Sequence, residues 1–191
     1  MISEPEIVTA PAAEPLTLAE AKAHLRVDHS DDDALIQAQI IAARQMVESF
    51  TRQRLITQTL RFTYDWFPAR LEIPVWPVQS VSSVKYDDAE GNEQTLAASR
   101  YTLVKHRPRV LTPAYSDVWP STRLHWGAVR VDVVCGYGAA GSAVPGDIMA
   151  ALKLVLASLY EQREGVIVGV DAMEHPGMTA PRALLLPHVL Y

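Results

Sequence analysis

Apolar residues recur along this chain at two different periods, and the changes between them mark out its elements. Thr17 opens a helix and Glu20, three residues on, completes a capping box. Leu18, Ala21 and Leu25 share one face, so the spacing predicts a helix over 17–27. A second, longer helix is predicted over 31–54, beginning at Asp31, Asp32 and Asp33. Ile36, Ile40, Ala43, Val47 and Phe50 fall at steps of four and three and form one apolar stripe. The opposite face, with Gln37, Arg44 and Gln45 and Arg52 near the end, reads as polar. Then the period drops to two. Leu60, Phe62, Tyr64 and Trp66 alternate with Thr59, Arg61, Thr63 and Asp65, the pattern of a half-buried strand. Leu71, Ile73 and Val75 repeat it. Val81, Val84 and Tyr86 lead through the turn-rich run 87–92 to Gln94 and Leu96, which predicts a hairpin. Tyr101 to Val104 and Arg109 to Leu111 are short strand candidates, and Val129, Val131, Val133 and Cys135 form the clearest strand of the second half.

After Pro145 the longer period returns. Ile148, Leu152, Val155 and Leu159 line one face of a helix predicted over 147–163. Before the first helix, Pro5, Pro11 and Pro15 lie among small and acidic residues, so 1–16 reads as an extended N-terminal arm. Beyond Gly165 the chain is apolar but interrupted by glycine and proline, with one short helix candidate, Pro181 to Leu186. Helices, then strands over 56–136, then a helix make an α+β fold rather than alternating βαβ units.

Composition narrows the function classes. A chain of 191 residues can bury roughly 70% of its unfolded surface, so neither disulfides nor metals are needed to hold it. The single cysteine, Cys135, has no intrachain partner to bridge. Glu4 and Glu6 come before any basic residue and no apolar run follows, so a secretory leader is not expected. The most apolar stretch, Ile148 to Leu159, contains Lys153 and is too short to span a membrane. The reading is a soluble product of the cytoplasm. A net charge of −5 argues against a surface that grips nucleic-acid phosphates.

Several stretches suggest chemistry. Gly136-Tyr137-Gly138-Ala139-Ala140-Gly141 fits the dinucleotide fingerprint and follows a strand. In that fingerprint the helix starts within the glycines and its N-terminus faces the pyrophosphate, whereas here 142–145 intervene. The preceding strand is half polar, and too little chain follows for a parallel sheet. A glycine turn between sheet and helix is the favoured reading. Asp28 to Asp33 resembles a calcium loop but lacks its glycine and its closing glutamate, so helix capping accounts for the acids. The six histidines have no ligand spacing, no G-x-S-x-G surrounds Ser142, and Cys135 among valines reads as a buried small residue. Arg107-Pro108-Arg109 is too short for a nucleic-acid patch, and the four tryptophans read as core or interface packing. No catalytic residue, cofactor site or metal site is predicted, and the chain is not expected to be an enzyme.

Four stretches, in order, resemble the head–tail connector (adaptor) proteins of tailed bacteriophages. They are Leu16 to Val27 with the acidic helix start that follows, Leu71 to Asp87, and Val131 to Gly138 running through Val144-Pro145 to Tyr160-Glu161-Gln162-Arg163. The fourth is Leu184-Leu185-Leu186-Pro187-His188, with His188 where that family commonly has tyrosine. The resemblance implies a small helical bundle carrying a β-rich insertion, with a connector domain over 17–164 and a docking tail over 165–191. It also implies a virion neck protein, made in the bacterial host cytoplasm, that forms a homo-oligomeric ring, commonly of twelve. The ring would sit beneath the portal protein, receive a stopper or other neck or tail protein, and pass DNA through its lumen. Val166, Ile167, Val168, Leu184, Leu185, Leu186, Pro187, His188 and Tyr191 are the expected interface residues. The alternatives are a small DNA-binding regulator and a nucleotide-dependent enzyme using the Gly136–Gly141 turn.

Overall fold

The computed structural model describes residues 5–104, 109–161 and 179–190. The chain falls into two compact units, one built from 57–136 with the N-terminal segment through Pro11, the other from 12–56 and 137–189.

The second unit is helical. Helix α1 (Leu18–Leu25) starts at the predicted capping box: the Glu20 N–H donates to Thr17 Oγ1 at 3.2 Å, and the Thr17 N–H to Glu20 Oε2 at 2.9 Å. It stops because Arg26 turns left-handed at φ 59°, which lets the Val27 N–H reach the Lys22 carbonyl. Helix α2 (Asp33–Thr51) ends the same way at Arg52, φ 55°. Its predicted stripe, Ile36, Ile40, Ala43 and Val47, is fully buried against Ile148, Leu152, Val155 and Leu156 of α3 (Gly146–Glu161). Helix α4 (Thr179–Leu185) adds Leu185 to the same core.

Arg44 does not lie on a polar outer face. It is buried: its Nε donates to Glu14 Oε2 at 2.7 Å and its Nη1 to Glu48 Oε2 at 3.1 Å. Glu48, on the next turn, also accepts the Leu55 N–H at 2.9 Å. Burial pushes the Glu48 carboxyl above the usual carboxylate range, against the pull of that N–H and of Arg44. The outer face of α2 therefore loses its only charge between Ala34 and Val47. What remains exposed there is Leu35, Gln37, Ala38, Ile41 and Gln45.

The other unit is made of sheets. Strands β1 (Glu6–Thr9), β2 (Gln58–Tyr64), β4 (Val78–Asp87), β5 (Glu93–Thr95) and β8 (Val129–Cys135) form one antiparallel sheet in the order β1-β2-β8-β4-β5. Strands β3 (Leu71–Ile73), β6 (Tyr101–Val104) and β7 (Arg109–Pro113) form a second, ordered β3-β7-β6. Strict alternation in β2 and β8 buries Leu60, Phe62, Val131, Val133 and Cys135 with Leu71, Ile73 and Leu111. Cys135 is thus a buried small residue. The β4–β5 hairpin closes where predicted, with Asp88 Oδ1 accepting the N–H groups of Glu90 and Asn92. Part of the N-terminal arm is an edge strand, paired through Glu6 opposite Arg61. No period-two signal in its sequence announces it.

Candidate interaction surfaces

The glycine turn is explained by packing. A Cβ on Gly141 would lie 1.9 Å from the Pro15 carbonyl oxygen, and one on Gly138 would lie 2.5 Å from the Ala143 Cβ. Gly136 has φ 123°, open only to glycine. Strand β8 is antiparallel to both neighbours, and α3 begins at Gly146, five residues past Gly141. A dinucleotide fingerprint needs a parallel strand and a helix that starts inside the turn, so the nucleotide reading has no support here. Among the described residues no group of histidine, cysteine and carboxylate side chains could hold a metal ion. No helix there is long and apolar enough to cross a membrane.

On the sheet unit, the connection between β7 and β8 is anchored at both ends. At its start, Arg100 grips Asp117 through two bonds, Nε to Oδ2 at 2.9 Å and Nη2 to Oδ1 at 2.7 Å. The Asp117 carboxyl is held down at about 2, chiefly by that side-chain pair and then by the Val118 N–H. In the middle, Trp119 stacks on Phe67 with ring centres 4.7 Å apart. At its end, Asp87 accepts from Arg130 at 2.6 Å and pairs with His125 Nε2 at 2.8 Å, while the Asp87 N–H donates to the Ala128 carbonyl. Arg130, with His125, holds the Asp87 carboxyl below its usual range. Gly127, at φ 77°, gives its N–H to Asp65. On this scaffold Trp126 is 81% exposed, Leu124 91%, and Trp66 of the β2–β3 connection 53%.

One face of the same sheet carries a lattice of charges. Arg61 is bidentate on Asp132 across the β2–β8 register, Ser83 adds a bond to Asp132, and Arg130 and Lys85 both reach Glu93. Trp76 lies under the Arg109 guanidinium at 4.9 Å.

On the helical unit, the expected interface residues separate. Leu185 is fully buried and Leu184 packs on the same core. Leu186 and Pro187 are exposed. His188 pairs with Asp147 at the start of α3, and its carbonyl accepts from Gln53, whose side chain also binds Tyr137. The expected residues Val166, Ile167, Val168 and Tyr191 lie outside the described residues. Sequence reasoning missed the β7–β8 loop, because its apolar residues Tyr115, Val118, Leu124 and Trp126 follow no period. A cluster of large apolar residues among turn formers was the available signal.

Residues 15–101 match the family described as Phage gp6-like head-tail connector protein. Solved structures extend the likeness past the matched segment. A chain in the virion of a native gene transfer agent particle is 28% identical, with a TM-score of 0.80 over 99% of this chain and 96% of that one. A chain from the neck of an empty particle, computed with C6 symmetry, is 26% identical at 0.80 with the same coverage. One from the neck of a native particle, computed with C12 symmetry, is 29% identical at 0.76, again with that coverage. No curated protein sequence matches the chain.

Proposed function

We propose that this protein is a non-enzymatic structural subunit of the neck of a tailed phage or phage-like particle. In this reading it forms a ring, of twelve copies as in the C12 neck, that binds the portal on one side and a stopper or tail component on the other. DNA passes through the lumen. The observation that carries the proposal is the likeness over nearly the whole of both chains to proteins of gene transfer agent necks.

Three features of the chain support it. A ring is closed by a heterologous contact, in which one patch meets a different patch of the next copy. The outer face of α2, with Ile41 41% exposed and no exposed charge over three turns, suits such a contact. The net charge of −5 suits a channel through which DNA must slide without adhering. Leu186 and Pro187, exposed at the end of α4, suit docking on the portal. The segments 1–16, 17–164 and 165–191 then act as arm, connector domain and docking tail.

The test is removal of the protein from particle-producing cells. DNA-filled heads should accumulate without tails, and the purified protein should restore joining when added back. Tailed, infective or transferring particles made in its absence would refute the reading.

A further inference from the structure

From Ala34 to Thr51, about five turns, helix α2 exposes no charged side chain. In a chain of which 20% is charged, a solvated helix face ordinarily carries several charges. The two charged residues of this stretch both turn inwards. Arg44 is taken by Glu14 and Glu48, and Glu48 also accepts the Leu55 N–H. Outside remain Leu35, Gln37, Ala38, Ile41, Gln45 and Ser49. Keeping Arg44 and Glu48 inside costs hydration that exposed positions would have retained. A helix face cleared of charge in this way has the character of the centre of a protein contact, where charged residues are depleted.

Helix α3 carries a second such strip. Between Asp147 and Glu161 its exposed positions are Ala150 and Leu154, with Ala157 and Ser158 partly exposed beside them and Lys153 partly covered. The buried stripes of α2 and α3 pack on each other, so the two outer strips look away from one another on opposite sides of the helical unit. Two unlike patches that face opposite ways are the geometry of a heterologous contact, which repeats head to tail and can close a ring. Ala38 on one helix and Ala150 and Ala157 on the other leave room for two axes to approach, and Ile41 and Leu154 are large enough to fill the space between them. Charge points to the same occupant. A second copy brings the same net charge of −5, so two copies meet with least repulsion where neither surface is charged. A basic partner would gain nothing from strips that carry no acid.

We propose that the outer face of α2 in one copy packs on the strip around Leu154 of α3 in the next, and that this helix-on-helix contact closes the neck ring. The inference rests on the ring reading above and goes beyond it by naming both surfaces of the joint.

The test uses particles assembled from full-length subunits that carry Ile41→Cys and Leu154→Cys together. The native Cys135 is buried and does not compete. A short bismaleimide reaches across the roughly 8–10 Å between packed helix axes. Necks treated with it should give a ladder of dimers, trimers and larger covalent oligomers on a denaturing gel. Either single variant should stay monomeric, because each leaves one side of the joint without a reactive thiol. Dimers from Ile41→Cys alone would overturn the proposal, since they mean that the α2 face meets itself. Double-variant particles that join normally and give no ladder would overturn it too, and put the subunit contact on another surface. Where the double variant disturbs assembly, Ala38→Cys with Ala150→Cys reads the same contact by the same two outcomes. Failure of the connector reading shows separately, as particles that join normally without the protein.

Discussion

Arg44 and Glu48 illustrate how a buried charge survives on a helix. Each ion loses hydration, and each recovers it through two partners: Arg44 through Glu14 and Glu48, Glu48 through Arg44 and the Leu55 N–H. Glu48→Ala would leave the Leu55 N–H and one side of the guanidinium unpaired, so a loss of about 3 kcal/mol in chemical denaturation is expected. Gly141 is held by space instead. Gly141→Ala must push the Pro15 backbone away, and thermal unfolding should show a destabilisation of about 2 kcal/mol or more. Nucleotides should make no difference to either result. The Asp117 pair sets a pH signature on the β7–β8 loop. Its carboxyl titrates near 2 in the folded protein, below the ordinary 3.8, so the folded state favours the ionised form. That preference is present in full above pH 3.8 and is lost as pH falls from there towards 2. Carboxyl NMR titration should find the low midpoint, and Arg100→Ala should raise it towards the usual range, with the Val118 N–H still holding it somewhat below.

At the scale of elements, the predicted helices and the strands with strict alternation are present among the described residues, and the expected end of the third helix at 163 lies outside them. Both signals are local: a stripe such as Ile36 to Val47, or the alternation of Val129 to Cys135, is set by which face the element buries. Strand β1 was not legible because an edge strand held by one neighbour needs no buried face, and all four of its residues are exposed. The burial of Arg44 was not legible because it depends on Glu14, thirty residues away and without a pattern of its own. The tryptophans of the β7–β8 loop were ambiguous for the same reason. Trp119 and Trp126 sit in one loop, and only the distant Phe67 and Asp87 decide that the first is stacked and the second displayed. For the outer face of α2, the consequence can be measured. Ile41→Glu should leave the melting temperature within a degree or two, because the side chain is already partly in water. In the ring reading it should also abolish or severely reduce the ring seen by native mass spectrometry of assembled necks. An unaltered ring would move the subunit contact to another surface.

At the scale of the molecule, the C-terminal segment contributes to the core and, in the docking reading, to assembly, and two adjacent leucines allow the roles to be separated. Leu185 is fully buried in the core of the helical unit beside α3, whereas Leu186 is about half exposed one residue later. Deleting the whole segment would confound the two, since it strips the core and removes the surface together. Leu185→Ala leaves a cavity, so a loss of about 3 kcal/mol is expected, with docking impaired only as far as the fold is. Leu186→Asp adds a charge at an exposed position and should change stability by no more than about 0.5 kcal/mol. If Leu186 and Pro187 form part of the contact with the portal, that same change buries an unpaired carboxylate in the joint, and attachment to portal-bearing heads should fall at least tenfold. Binding of each purified variant to tailless heads, compared with its unfolding curve, distinguishes the cases. Loss of attachment in Leu186→Asp at unchanged stability assigns the end of α4 to the joint. Normal attachment in Leu186→Asp, with instability confined to Leu185→Ala, would make the segment a core-sealing element and send the search for the portal contact elsewhere.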